Sequence, residues 1–68
     1  MEISLAKKLM EVRIEKKLTQ AEVAAKLGVS KTCYAGYEQG HRKPSVDMLR
    51  QLCILFGVSA DYLLELED

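Results

Sequence analysis

Lys31, Thr32, Ala35 and Gly36 lie within six residues of one another, and the basic run His41-Arg42-Lys43 follows soon after. At about 100° per residue of helix, these four gather on one face, while Cys33, Tyr34 and Tyr37 gather on the other. The first face offers one cation, one hydroxyl and two positions with almost no side chain. A helix face of that kind can lie close to another surface, such as the floor of a DNA major groove. The plainer alternative is a solvated face whose glycine costs about 1 kcal/mol relative to alanine. The basic run supplies charge where a phosphate backbone would feel it.

Two short helices joined by a tight turn must position that face. Thr19 is a good N-cap and Glu22, three residues on, completes a capping box. Val23, Ala24 and Leu27 form one apolar stripe of a helix over 20–27. Gly28 can take the left-handed conformation that ends a helix, and Ser30 can cap the next, over 31–39. Val29, apolar inside the turn, is expected to plug the core at the corner. These are the proportions of a helix-turn-helix, and the order of the capping signals favours the DNA reading of the outer face.

The rest of the chain reads as scaffold. A first helix over 3–17 carries Leu5, Leu9 and Val12 as its buried stripe, and Leu18 precedes the Thr19 cap as a hydrophobic staple. Arg13 sits at the stripe's edge, where a cation needs a partner. Pro44 and Ser45 stop and restart the chain ahead of a fourth helix over 46–56, with Val46, Leu49, Leu52, Cys53 and Phe56 turned inward. Gly57-Val58-Ser59 repeats the corner at Gly28-Val29-Ser30, and a fifth helix over 60–66 closes a single domain spanning 1–68. Ile54 lies far from the stripe of the fourth helix, and Leu64 and Leu66 enrich the C-terminal end. Surplus apolar surface on a small domain marks a partner site, so a homodimer through Ile54, Leu64 and Leu66 is expected.

Composition excludes several classes. With 68 residues, 49% of them hydrophobic and a single Pro, the chain suits a small helical bundle. No apolar run approaches the roughly 20 residues needed to span a bilayer, which points to a cytoplasmic protein without a membrane partner. Cys33 and Cys53 have no second cysteine or histidine at ligand spacing, so neither a metal nor another cofactor is expected. Cys53 reads as core, and Cys33 lacks neighbours that would stabilise a thiolate, apart from Lys31. No catalytic Ser/His/Asp or Cys/His set and no phosphate-cradling glycine loop is present, so no enzyme and no small-molecule ligand is indicated. Ten basic and ten acidic residues give zero net charge, which counts against DNA. Four of those acids fall at 61–68, however, leaving ten positive and six negative charges in residues 1–60.

The runs Leu18-Thr19-Gln20-Ala21-Glu22-Val23-Ala24, Leu27-Gly28-Val29-Ser30-Lys31, Tyr37-Glu38-Gln39-Gly40, Arg42-Lys43-Pro44-Ser45 and Phe56-Gly57-Val58-Ser59-Ala60-Asp61-Tyr62-Leu63-Leu64 together resemble the Cro/phage-repressor (Xre-type) helix-turn-helix family. The resemblance covers nearly the whole chain, from about Leu5 to Leu64. It implies an all-α, five-helix, lambda-repressor-like domain that binds double-stranded DNA as a dimer and regulates transcription, usually by repression. It places base reading on Lys31, Thr32, Ala35 and Gly36: Lys31 donating to guanine, Thr32 meeting an acceptor or a thymine methyl, and Gly36 only permitting close approach. It assigns backbone phosphates to Gln20, Gln39, His41, Arg42 and Lys43. It also pairs Arg13 with Glu38 as a structural tie. Tyr34 departs from the family's Ile or Val, so the core must hold a larger ring or let its hydroxyl reach water. With small residues at 35 and 36, specificity leans on DNA shape. The contrasting reading is a protein-interaction module on the same fold, an antirepressor or a partner-binding domain. The residues do not give the operator or the genes controlled.

Overall fold

A computed structural model describes residues 3–64, with side chains from Leu5 onward. Five helices follow in order: α1 (Ile3–Glu15), α2 (Gln20–Leu27), α3 (Lys31–Gln39), α4 (Val46–Phe56) and α5 (Ala60–Leu63), with no strand among the described residues. Helix α1 packs against α3 and α5, α2 against α3 and α4, and α4 against α5. None of these helices is long and apolar enough to cross a membrane.

Local chemistry sets the corners. The Thr19 hydroxyl accepts from the Glu22 N–H at 3.0 Å and the Glu22 carboxylate accepts from the Thr19 N–H at 2.8 Å, the reciprocal capping box. Gly28 takes φ 75°, which lets the Val29 N–H turn back onto the Ala24 carbonyl at 3.0 Å. Val29 then packs on the core, and the Ser30 hydroxyl accepts from the Cys33 N–H at 3.0 Å to start α3. The same solution recurs at Gly57, where the Val58 N–H returns to the Cys53 carbonyl at 3.1 Å. Each serine or threonine cap of this kind is worth about 1 kcal/mol.

The core is one cluster: Leu9, Val12, Val23, Ala24, Leu27, Tyr34, Tyr37, Leu52, Phe56 and Leu63. Tyr34 is wholly buried, with its ring edge-on to Tyr37 at 6.1 Å and 89°. The larger ring is therefore held inside the core rather than opened to water. Val46 departs from the expected stripe and is 78% exposed. It is the first residue of α4, set before the helix has turned its inner face to the core, and that face begins in earnest at Leu49 and Leu52. Ile54 is 74% exposed, as the helical period requires. Helix α5 ends at Leu63, which is fully buried, while Leu64 is partly exposed; Leu66 lies outside the described residues.

Helix α1 stops two residues earlier than its sequence pattern suggests. Lys17 adopts φ 60°, and the Leu18 N–H doubles back to the Arg13 carbonyl at 3.2 Å. The chain must reverse there to bring Leu18 onto the core and Thr19 to the start of α2. A left-handed conformation at a residue with a Cβ is strained by about 1–2 kcal/mol.

Arg13 holds this corner and much else. Its Nη1 donates to the Leu18 carbonyl at 2.8 Å, Nε donates to Glu38 Oε2 at 2.6 Å, and Nη2 donates to Glu38 Oε1 at 3.2 Å. The pair is nearly dry: 14% of the Arg13 side chain and 2% of the Glu38 side chain are exposed. Burial on its own would raise the Glu38 carboxyl, but hydrogen bonds, led by those from Arg13, together with the Arg13 charge hold it below its ordinary 4.5.

Two variants test these contacts. Lys17→Gly is expected to stabilise the domain by about 1 kcal/mol in urea titrations, because glycine accepts the positive φ without strain; a loss of stability contradicts the strain. Glu38→Gln is expected to cost about 3 kcal/mol, since it leaves the Arg13 charge without its counter-ion. Because the folded carboxyl is depressed, its contribution is fully present above the ordinary value of 4.5 and is lost as pH falls below that. Unfolding free energies measured at stepwise lower pH should therefore fall in the parent and flatten in the variant, and parallel curves would contradict the assignment.

Candidate nucleic-acid interface

The outer side of α3 is built from residues one helical turn apart. Lys31 and Thr32 are exposed in its first turn, Ala35 is half-buried one turn on, and Gln39 is exposed at its end. With Gln20 from the start of α2, these side chains line one shallow, open depression. The helix-turn-helix corner is what puts Gln20 beside them: α2 and α3 pack together, and Gly28 and Ser30 fix where one ends and the other begins.

Gln20 is oriented rather than free. Its Nε2 donates to Glu38 Oε1 at 2.9 Å, so one carboxylate takes hydrogen bonds from both Arg13 and Gln20. An amide nitrogen carries a second proton beyond the one given to Glu38. The capping box uses the N–H groups of Thr19 and Glu22, which leaves the first-turn N–H groups of Gln20 and Ala21 outside it. Helix N-termini of this kind favour anions.

Charge along α3 and the loop after it is one-signed, whereas the first turn of α2 carries the exposed carboxylate of Glu22. Glu38 is the only carboxylate in residues 31–43, and it is buried against Arg13. Lys31, His41, Arg42 and Lys43 all stay exposed. Zero net charge over the chain therefore coexists with a locally cationic face, and the local field is what a polyanion meets.

Gly36 requires a correction. The helical period puts it with the outer residues, yet it is buried, because the side chain of Arg42 lies across it. Bare backbone at position 36 is thus in contact with the chain's own loop and not open to an incoming surface. Gln39, by contrast, belongs with Lys31, Thr32 and Ala35 and not only with the loop. Its spacing, four residues after Ala35 and eight after Lys31, is the signal that places it there.

The remaining chemistry is quiet. Cys33 and Cys53 are both free thiols and half-buried. The Cys33 thiol donates to the Tyr37 hydroxyl at 3.7 Å, and burial pushes the Cys53 thiol up, away from the reactive thiolate. Among the described residues no three His, Cys, Asp or Glu side chains converge as a metal site requires. The arrangement can donate hydrogen bonds and attract anions.

Comparison with known proteins agrees with this geometry. A helix-turn-helix family model matches residues 9–63. The chain is 43% identical over 61 residues to the HTH-type transcriptional regulator YobD of Bacillus subtilis, covering 90% of this chain and 54% of that protein. It is 42% identical over 62 residues to the HTH-type transcriptional regulator ImmR of the same organism, covering 91% of this chain and 49% of that one. The crystal structure of the clp gene regulator ClgR from Corynebacterium glutamicum superimposes with a TM-score of 0.87 at 26% identity, over 94% of this chain and 68% of that one. The chain spans about half the length of the curated relatives it matches. With five helices, both corners and the α2–α3 geometry in place, the chain belongs to the Xre-type helix-turn-helix family.

Proposed function

We propose that the chain is a sequence-specific, double-stranded DNA-binding regulator of transcription, acting in the cytoplasm as a dimeric repressor that reads a palindromic operator. The observation that carries this reading is the outer side of α3, where Lys31, Thr32, Ala35 and Gln39 share an open depression and the single carboxylate of residues 31–43 is withdrawn against Arg13. Helix α3 enters the major groove, with Lys31 donating to guanine O6 or N7 and Thr32 touching an acceptor or a thymine methyl. Gln20 and the first turn of α2 hold a phosphate, and Gln39, His41, Arg42 and Lys43 address the backbone beyond α3. The resemblance to phage repressors supports repression as the sign of regulation.

Dimerisation is supported by the apolar residues that folding leaves outside. Ile54 is 74% exposed and joins Leu27 and Leu55 in an open apolar depression beside Lys26 and Gln51. Leu64 is partly exposed at the end of α5. A second copy covering Ile54 and Leu64, together with Leu66, would present two α3 helices to successive turns of one duplex.

Selection of bound duplexes from a random pool at a fixed salt concentration tests this reading. The expected product is an inverted repeat with half-site centres about 34 Å apart. Affinity for it should fall steeply with salt, and Lys43→Ala should reduce the slope of log K against log salt by about one. Absent or salt-insensitive binding contradicts DNA as the partner. A stable complex with another protein that ignores the α3 face would favour an interaction module instead.

A further inference from the structure

Gly36 is buried although the helical period groups it with the exposed Lys31 and Thr32, and its cover is unusual. A β-carbon built on it would stand 3.0 Å from Cδ, 3.2 Å from Cγ and 3.6 Å from Cβ of Arg42. The aliphatic stem of Arg42 therefore lies flat against the backbone of α3. The root of that stem is pinned at the same residue, because the Gly36 carbonyl accepts the N–H of His41 at 2.9 Å and of Arg42 at 3.2 Å. Burial pushes the Tyr37 phenol up, the Cys33 thiol adds to the rise, and the Arg42 charge lies near enough to oppose it. The stem thus runs back along the helix instead of trailing from the loop. Arg42 as a whole remains exposed, so its head group is presented and its stem is packed.

We infer that Gly36 is a positioning residue: its missing side chain seats the stem of Arg42, so that the guanidinium is held at the Gly36–Tyr37 edge of α3 as a fixed two-pronged donor for a pair of acceptors on the duplex. Those acceptors are two phosphate oxygens or guanine O6 and N7, which a guanidinium engages with the same fork geometry. The donor role rests on the DNA-binding reading above; the seat does not. An arginine held in place before binding loses less rotamer freedom when it engages a target than one tethered to a loose loop. The small residue at position 36, which removes one side chain from the outer face, supplies another from three-dimensional neighbours.

A double-mutant cycle on Gly36→Ala and Arg42→Ala tests both parts in the intact chain. The first readout is thermal melting without DNA. Alanine is the better helix former, so Gly36→Ala should raise the melting temperature when Arg42 is already alanine and raise it less, or lower it, when Arg42 is present. The second readout is affinity for the duplex selected from the random pool. Gly36→Ala should weaken binding roughly tenfold with Arg42 present and change it less than about twofold in the Arg42→Ala background. Additive effects in both readouts overturn the inference. Absence of duplex binding by the parent chain overturns the DNA reading and with it the donor role, while the melting cycle alone still decides the seat. The Arg42→Ala loss also identifies the acceptors: uniform over sequences for phosphate, confined to one base-pair position for guanine.

Discussion

The guanidinium of Arg13 clamped on the carboxylate of Glu38 is the contact on which the arrangement turns. Two charges taken so far from water cost several kcal/mol each to desolvate, and only close, directional partners offset that. Here close partners are supplied: two donors from Arg13, one from Gln20, and a carbonyl at Leu18 for the remaining arginine nitrogen. Those residues come from α1, the turn after it, α2 and α3. One polar knot therefore does what a larger hydrophobic core would do in a bigger domain, and it specifies the angle between elements as well as holding them.

The same knot shapes the electrostatics of the outer surface. Had Glu38 faced solvent, it would stand among Lys31, Arg42 and Lys43 and cancel part of their field. Buried, it neutralises Arg13 instead, and the cations around α3 keep their effect. Glu38 also fixes the Gln20 side chain at the start of α2. Fold stability and the charge of the outer side of α3 thus depend on one side chain. Arg42 extends the pattern on the other edge of α3, where a glycine backbone takes the place of a carboxylate as the support.

What could be read from residues alone follows a clear physical line. Caps and corners were legible because their chemistry is local: Thr19 with Glu22, Gly28 with Ser30, and Gly57 with Ser59 each need only a few neighbouring residues to act. The buried faces of α1 and α4 were legible from period, apart from Val46, which sits at a helix start where period says little. Lys17 was not legible, since the demand for a left-handed residue there comes from where Leu18 must go. The Arg13–Glu38 pair was visible only through the family resemblance, and the bond from Gln20 not at all, because both depend on how three helices meet. Gly36 shows the same limit, in that nothing local says a loop will fold back over it. The outer residues Lys31, Thr32 and Ala35 gather where the helical period puts them, with Gln39 added to their number.

In the proposed complex, the outer side of α3 is the surface that touches a duplex. Amide chemical shifts of isotopically labelled protein, followed while the selected duplex is added, test that most directly. The largest changes are expected on Gln20, Lys31, Thr32, Ala35, Gln39 and Arg42. Changes concentrated around Ile54 and Leu64, with α3 unmoved, would contradict it.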